Sequence, residues 1–485
     1  MRTFTLLPTH NMMKSPLLIL LVSALLVLQF AKASTERTED SSPAATIKQF
    51  LADHLKNRKY KDFLFPFIES RSLQGNETHT QGLVTEWMKD IGFDTIDTYT
   101  YKDVGDKLTK HPNFNSPRDN FDESPVVVGV LGGDADGDFD PILLNVDLNG
   151  EAEATPKKHR SLILNGHVDV VPIEDDSQFT VQEKDGRIYG RGSTDMKGGI
   201  YASMLAVEAI VKGLQKKPAG RLIFESVVEE ESGGSGSLST ILRGYKADAA
   251  IIPEPSQLKI FPKQQGSMWF NITVYGKAAH GASRYDGVSA IEKSMRVIEQ
   301  LQTLEMVRND DVKRSDPMCK DLPIPVPINI GRMKGGKWPS SVPDYVELHG
   351  RLGVIPGEKI ADAKQQLIDA MSQLAQVDEW FKEHPVQVNF FGASWPAGDV
   401  SPDSDVVSTL IKAFEQTLHE KPVVAMAPWA TDAGYLSTLG DTQAIIFGPG
   451  ETAKAHQSDE YIEVEKIYQC AETMANFIVE WCGLD

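Results

Sequence analysis

Two histidines and several acidic residues follow short apolar runs at widely separated places in this chain. The set comprises His167, Asp169, Asp195, Glu229, Glu230, Glu231, Glu254 and His456. Imidazole nitrogens and carboxylate oxygens are ligands that suit divalent zinc, cobalt or manganese. One tetrahedral zinc ion would leave several of these carboxylates unused. A pair of ions about 3.5–4 Å apart, bridged by a carboxylate and a water, would use them all.

Each of these segments also has an ordinary structural explanation when it is taken alone. His167 and Asp169 share one face of an extended segment, which suits a ligating imidazole held by a carboxylate but also a buried histidine with a chance partner. Asp195, in a glycine-rich loop, can simply cap a helix. The run 229–231 can be a solvated charged surface. The combination of all the segments, each at a strand end, favours a metal centre.

Apolar strands that alternate with helices must position these residues. Short apolar runs at 126–131, 161–164, 222–228 and 249–252 alternate with helical patterns. This alternation predicts an α/β fold with a mostly parallel sheet covered by helices on both faces. The carboxyl ends of parallel strands meet at one edge of such a sheet, where ligands bind. The candidate residues should therefore converge at that edge.

The pattern changes near Gly266, which indicates a second domain. Residues 267–275 alternate between apolar and polar side chains, as a half-buried strand does. The predicted order over 266–391 is β-α-β-β-α-β, the ferredoxin-like split unit. We therefore expect residues 34–265 and 392–485 to form one α/β domain, into which the α+β unit is inserted.

Composition limits the class of protein and its partners. The 485 residues are 41% hydrophobic and 24% charged, which is typical of a globular protein. The formal net charge of −19 argues against nucleic acid and against anionic membranes as partners. Three cysteines, Cys319, Cys470 and Cys482, exclude a disulfide framework. The last two lie on a predicted helical tail about 18 Å apart, too far for a bond.

The N-terminal residues have the pattern of a secretory signal peptide. Arg2 and Lys14 precede an apolar run at 17–30, and an A-x-A sequence ends at Ala33. We expect residues 1–33 to be cleaved and the protein to be secreted. An uncleaved signal anchor is the alternative, although the run is shorter than the roughly 20 residues that a spanning helix needs.

Three motifs together resemble the co-catalytic zinc amidohydrolases, which include acetylornithine deacetylase, succinyl-diaminopimelate desuccinylase, aminoacylase and carboxypeptidase G. They are H-x-D-x-V-P at 167–172, G-R-G-x-x-D-M-K-G at 190–198, and G-P-G with A-H-Q-x-D-E-Y at 448–461. The resemblance covers most of 45–485. It implies a zinc-exopeptidase-like fold, with residues 266–391 as a lid or dimerisation domain, and hence a possible homodimer.

The resemblance also implies which residues hold the two metal ions. His167, Asp195 and Glu254 would bind one ion. Asp195, Glu231 and His456 would bind the other, so that Asp195 bridges the pair. The ions would be zinc, with cobalt or manganese as alternatives.

A general base and a supporting carboxylate are implied by the same motifs. Asp169 would support the ligand His167. The family pattern is an acid pair before a short glycine-containing loop, and counting back from that loop assigns the base to Glu230 and the ligand to Glu231. The run of three glutamates permits a slip of one residue, which would make Glu229 the base.

The lid would contribute substrate contacts. His280, in the segment 276–281, matches a histidine that stabilises the oxyanion, often across a dimer interface. Arg351 matches an arginine that binds the substrate carboxylate, and Asn329 would assist it. Ser341 stands where many relatives have asparagine, so one polar substrate contact differs.

The implied reaction is the hydrolysis of an amide bond. The substrate would be an N-acyl amino acid, with acyl removal as in acetylornithine deacetylase, or a small peptide that a secreted carboxypeptidase or dipeptidase cleaves. A non-catalytic protein that binds an acyl amino acid is the alternative from another functional class.

Overall fold

The computed structural model describes residues 42–133 and 159–485. The predicted signal peptide at 1–33 lies outside the described residues, as does most of the acidic stretch at 132–160. Within the two described ranges, no helix has both the length and the apolar character that crossing a membrane requires.

The described residues form eighteen strands, which are numbered in chain order. They are β1 (Thr95–Tyr99), β2 (Val126–Leu131), β3 (Leu162–His167), β4 (Gln182–Lys184), β5 (Arg187–Tyr189), β6 (Leu222–Val227), β7 (Ala249–Ile252), β8 (Ile260–Gln264), β9 (Gly266–Tyr275), β10 (Ala279–His280), β11 (Ile328–Gly335), β12 (Ser341–Val342), β13 (Tyr345–Val354), β14 (Gln387–Trp395), β15 (Gly398–Asp399), β16 (Val424–Ala427), β17 (Gln443–Ile446) and β18 (Tyr461–Glu463).

The α-helices of the described residues are numbered in the same way. They are α1 (Pro43–Lys56), α2 (Tyr60–Glu69), α3 (Thr78–Ile91), α4 (Tyr101–Val104), α5 (Asp106–Thr109), α6 (Gly198–Glu208), α7 (Ser235–Arg243), α8 (Ala290–Ser315), α9 (Ile360–Ser372), α10 (Leu374–Val377), α11 (Glu379–Glu383), α12 (Asp405–Leu418), α13 (Ala433–Thr438) and α14 (Val464–Cys482).

A nine-stranded sheet carries the candidate site at one edge. Its order is β1-β2-β6-β3-β7-β17-β8-β15, with β16 also beside β8. The four central strands β6, β3, β7 and β17 run parallel, whereas β1 and β2 are antiparallel to their neighbours. Every residue of β3, β6 and β7 is buried, which explains why their sequences are mostly apolar. The carboxyl ends of these strands therefore meet.

A separate antiparallel sheet has the order β11-β13-β9-β14. With α8 and α9 it reproduces the predicted β-α-β-β-α-β order. On β9, Met268, Phe270, Ile272 and Val274 are buried and belong to the same apolar cluster as Leu367 of α9. The opposite face of the sheet is partly exposed and more polar. The division into a catalytic domain and a lid domain at residues 266 and 391 stays a prediction.

The predicted fold class, α/β with an inserted α+β unit, is confirmed. Helix α3 ends at Ile91, and Gly92 follows it with a positive φ of 96°, the usual conformation of a glycine at a helix C-terminus. Helix α2 was not predicted, and the small sheet β18-β5-β4 was also missed. Cys319, Cys470 and Cys482 are all buried free thiols, in agreement with the expectation from the sequence.

Candidate active site

His167 is the last residue of the buried strand β3 and presents one ring nitrogen to two carboxylates. Its Nδ1 lies 2.9 Å from the main-chain oxygen of Asp169. Because that oxygen can only accept, Nδ1 carries a hydrogen. The opposite nitrogen, Nε2, lies 3.3 Å from Asp195 Oδ1 and 3.6 Å from Glu254 Oε1. The carboxylate of Asp169, which the sequence predicts as the support of this ring, lies farther from Nδ1, at 3.5 Å, so the main chain of Asp169 is the nearer partner.

Asp195 stands between the two histidines. Its Oδ1 faces His167, and its Oδ2 lies 3.2 Å from His456 Nε2. Glu231 Oε1 is also 3.2 Å from that nitrogen. One potential ligand group joins His167, Asp195 and Glu231, and another joins His167, Glu230 and Glu254, with the ligand atoms of each group within 4.8 Å of one another. A carboxylate that presents one oxygen to each imidazole has the geometry of a bridging ligand.

Glu460 holds the loop that carries Asp195. Its carboxylate accepts hydrogen bonds from the main-chain N–H groups of Gly192, Thr194 and Asp195, at 3.0, 2.9 and 3.1 Å. It also pairs with the buried guanidinium of Arg191 at 2.7 Å. This single buried side chain, from the motif at 448–461, therefore fixes the glycine-rich loop at 190–198.

The three glutamates of the acid run point to different partners. Glu229 has a left-handed backbone, with φ of 64°, and its buried carboxylate pairs with Arg118. Ser116 Oγ also donates a 2.8 Å hydrogen bond to it. The guanidinium of Arg118 lies 5.1 Å from the ring centre of Tyr101, so this ring also covers the ion pair. Glu229 is therefore not one of the carboxylates that face the histidines.

Asp169 holds the next two glutamates by their main chain. Its Oδ1 accepts a 3.3 Å hydrogen bond from the N–H of Glu230, and its Oδ2 a 3.2 Å bond from that of Glu231. Their side chains then face the cluster, Glu230 toward Glu254 and Glu231 toward His456. This geometry favours Glu230 and Glu231 as the functional acid pair, although their individual roles stay predictions.

The electrostatics of the cluster suit a cation. Burial raises the pKa of Glu230 and that of Glu254 well above the usual range. Bonds to Asp195 and Glu231 raise the pKa of His456 to about 10. Burial alone would lower the pKa of His167, but neighbouring carboxylates outweigh it and raise that pKa. Positive charge, from protons or from metal ions, is what this set of groups requires.

The donor atoms fit divalent metal ions. Among the described residues, the buried Nε2 of His167 has no hydrogen-bond partner, although two carboxylates face it. A nitrogen lone pair opposite carboxylate oxygens is repulsive unless a proton or a metal ion lies between them. Nitrogen and oxygen ligands with no thiol are suited to zinc, cobalt or manganese.

A cavity of about 360 Å³ opens beside the cluster. It is lined by Asp195, Glu230, Glu231, Glu254, Pro255, Ser267, Trp269, Arg351, Trp395, Trp429, Ala430, Thr431, Thr452, Ala455 and His456. Arg351 Nε donates a 2.7 Å hydrogen bond to Ser267 Oγ. Within residues 42–133 and 159–485, the Arg351 guanidinium forms no ion pair with a carboxylate. It is a cationic group placed opposite the acidic cluster.

His280 and Asn329, which the sequence predicts as substrate contacts, lie elsewhere in this chain, and so does Ser341, which stands in place of the family's asparagine. His280 is exposed in β10, where its Nδ1 accepts a 3.1 Å hydrogen bond from the N–H of Ala282. Asn329 is exposed in β11, opposite Arg351 in the strand register. Ser341 pairs with His280 in the register of β12 and β10. None of the three is among the described residues that line the cavity, so their roles stay predictions.

Sequence reasoning missed several residues that shape the site. Arg118 stands in a loop more than a hundred positions before its partner Glu229, and nothing in its local sequence indicates the pairing. Glu460 lay inside a recognised motif, and the main-chain N–H groups and the guanidinium that its carboxylate binds explain why an acid is placed there. The tryptophans Trp269, Trp395 and Trp429 also went unassigned, although a tryptophan beside a predicted strand end is a usable signal.

Comparison with known proteins gives the family of this chain. Residues 163–480, about two thirds of the chain, match the profile of Peptidase family M20/M25/M40. The match includes all five predicted metal ligands and Glu230. The chain belongs to this family. It is consequently a metal-dependent hydrolase of amide bonds, as the motifs implied.

Curated relatives and solved structures agree with this assignment. The chain is 33% identical to an N-formyl-4-amino-5-aminomethyl-2-methylpyrimidine deformylase of Halalkalibacterium halodurans, over 68% of this chain and 81% of the relative. It is 30% identical to an acetylornithine deacetylase of Pectobacterium carotovorum, over 66% and 80%. The fold is similar to that of a tripeptidase from Staphylococcus aureus, with a TM-score of 0.64 and 19% identity over 88% of this chain and 98% of that chain.

Proposed function

We propose that this protein removes the acyl group from N-acyl amino acids, using two divalent ions, most simply zinc. The observation that carries the proposal is the Arg351 guanidinium, which lines the same cavity as the acidic cluster and has no carboxylate partner among the described residues. A guanidinium fork matches a carboxylate in two parallel hydrogen bonds. The α-carboxylate of an amino acid is a ligand of this kind, and the scissile amide would then lie toward the acidic cluster.

The residues of the chain have distinct tasks in this reaction. When bound, the ions would lower the pKa of a water held between them and so supply the nucleophile near neutral pH. Glu230 takes a proton from the attacking water and returns it to the leaving amine. Its burial suits this task, because it raises the pKa of the carboxyl group. Arg351 orients the substrate throughout.

The oxyanion contact would come from His280. This histidine is exposed and lies outside the cavity in the single chain. It therefore acts either after the lid closes or from a second copy of the chain, and the second route makes a homodimer the active form.

The proposal of a secreted enzyme rests separately on residues 1–33.

Cleavage of small peptides by a carboxypeptidase or dipeptidase is the second candidate. The same guanidinium also fits the C-terminal carboxylate of a short peptide. Acyl removal is placed first because the two curated relatives named above, at 33% and 30% identity, are a deformylase and a deacetylase.

A substrate panel tests the proposal. The purified protein is loaded with zinc or cobalt and assayed on N-formyl and N-acetyl amino acids and on dipeptides. We expect hydrolysis of acyl amino acids, its loss after chelation, and its return when metal is added back. Hydrolysis of dipeptides alone would favour the exopeptidase. A fully loaded protein that hydrolyses no member of the panel would instead be a binding protein.

A further inference from the structure

We infer that the substrate carries a flat aromatic ring close to its carboxylate, held by a group of tryptophans that we call the indole pocket. The indole pocket consists of Trp269, Trp395 and Trp429. This inference rests on the proposed function, and it names the class of amino acid that the site accepts.

The three indoles reach one cavity from three separate elements. Trp269 lies in β9, Trp395 ends β14, and Trp429 follows β16, yet all three line the cavity that holds the acidic cluster. They are three of the seven tryptophans in the chain. Large aromatic side chains gathered around one cavity indicate an aromatic or apolar ligand group.

Trp269 stands directly beside the predicted carboxylate anchor. It faces Arg351 across β13 and β9, and Phe391 across β9 and β14. Side chains that are opposite each other in an antiparallel pair lie on the same face, with Cβ atoms about 5 Å apart. A carboxylate on Arg351 therefore brings the group attached a few bonds away against the indole. The indole is 39% exposed, so its surface is available to a ligand.

Trp395 and Trp429 extend the aromatic wall. Trp395 is the register partner of Ser267, whose Oγ accepts the hydrogen bond from Arg351. Trp429 is held edge-on by Phe261, with ring centres 5.4 Å apart and an interplanar angle of 85°. Both rings also pack against the large apolar core. These contacts restrain the two rings, so the aromatic wall is preformed.

Planarity separates ring stacking from simple hydrophobic burial. Indole faces attract aromatic rings through their quadrupoles, beyond the effect of buried area, by a factor of about two to ten in affinity. A cyclohexyl group has nearly the volume of a phenyl group but no flat face. The indole pocket should therefore favour phenyl over cyclohexyl, whereas a merely apolar pocket should not.

The test compares N-acetyl-phenylalanine with N-acetyl-cyclohexylalanine on the zinc-loaded protein. We expect kcat/KM to be about two- to ten-fold higher for the phenyl substrate. Trp269→Leu and Trp429→Leu should bring the ratio of the two values close to one. Trp338→Leu is the matched control, because Trp338 is 68% exposed and does not line this cavity. Its ratio should equal that of the unsubstituted protein.

Two outcomes would overturn the inference. One is an equal kcat/KM for the two substrates in the unsubstituted protein. The other is that Trp269→Leu and Trp429→Leu lower kcat/KM by the same factor for both substrates. Hydrolysis of N-acetyl-alanine but of neither bulky substrate would reject the indole pocket and leave the proposed function standing.

A binding measurement decides the case in which nothing is hydrolysed. The fluorescence of the indoles in zinc-loaded Glu230→Gln is titrated with the same two compounds. Tighter binding of the phenyl compound supports the indole pocket even if the proposed function fails, and equal binding rejects it.

Discussion

Three consecutive glutamates take three different environments, and a single backbone conformation separates them. The left-handed φ of Glu229 directs its carboxylate to Arg118, while the next two residues turn toward the histidines. Residues other than glycine favour a negative φ, so a glutamate in this conformation is uncommon. No local pattern predicts it. In the sequence, only the distance to Gly233 and Gly234 indicates that Glu230 and Glu231 are the functional acid pair.

Replacement of Glu230 tests this register. Glu230→Gln keeps the size of the side chain but cannot take a proton, so activity should fall by a factor of about 100 or more. The bound metal, measured by atomic absorption, should stay near the unsubstituted level. If Glu229→Gln abolished activity with metal retained and Glu230→Gln did not, the register would be wrong by one residue.

Replacement of Arg351 tests the carboxylate anchor. Arg351→Ala should raise KM for acyl amino acids by about ten-fold or more, because a charge-assisted pair is lost. Arg351→Lys keeps the charge but loses the guanidinium fork. Its KM should lie between that of the unsubstituted protein and that of Arg351→Ala. N-acyl amines that lack the carboxylate should lose little in either variant. Unchanged kinetics on carboxylate substrates would refute the role of Arg351.

Replacement of Arg118 tests the buried ion pair. Arg118→Gln leaves the Glu229 carboxylate buried without its charge partner, which should cost about 3–5 kcal/mol of unfolding free energy. Arg296→Gln is the control, because Arg296 and its partner Glu299 are both exposed, and solvent screens such a pair so that its loss should change stability little. Urea denaturation measures both. Equal losses of unfolding free energy in the two variants would show that the buried ion pair with Glu229 does not stabilise the fold more than an exposed pair does.

At the scale of elements, the strand ends were predictable and their exact neighbours were not. Mostly apolar runs identified β3, β6 and β7 and hence the edge where the candidate ligands meet. The pairing of the late strand β17 with β7 depends on contacts far apart in sequence, as does the delivery of Trp429 to the cavity. The fold, and the gathering of the candidate ligands at one sheet edge, therefore followed from local patterns and motifs, whereas the substrate cavity did not.

Strand β6 also buries a titratable group away from the cluster. Glu225 is fully buried, and it accepts a 2.8 Å hydrogen bond from Asn165 of β3. Burial raises its pKa to about 7. Because this is above the value in the unfolded chain, the folded protein holds the proton more tightly. The stability it contributes is present at acidic pH and is lost as pH rises through 7.

Glu225→Gln removes this titration. Between pH 5 and pH 8 the unsubstituted protein should lose about 2–3 kcal/mol of unfolding free energy relative to the variant. Urea midpoints at the two pH values measure the difference. Glu86→Gln, at an exposed site, keeps Glu225 and should lose as much unfolding free energy over this range as the unsubstituted protein does. A Glu225→Gln variant whose pH profile parallels that of the unsubstituted protein would contradict the assignment.

At the scale of the whole molecule, the metal ions should contribute to stability as well as to chemistry. Ligands that bind only the folded chain stabilise it, by about 4 kcal/mol when present at a thousand times their dissociation constant. Chelation should therefore lower Tm, and added zinc should restore it. Asp195→Asn replaces a predicted carboxylate ligand by an amide. The change in Tm on adding zinc should be smaller in this variant than in the unsubstituted protein. Equal Tm values with and without chelator would argue against a metal pair at this cluster.

Asp195 faces His456, which follows it by 261 residues in the sequence. During synthesis on the ribosome, the earlier donors emerge long before this imidazole does. A partly made chain thus has no complete coordination sphere and cannot hydrolyse anything. Chains that are truncated before His456 should therefore be inactive, whatever metal is supplied.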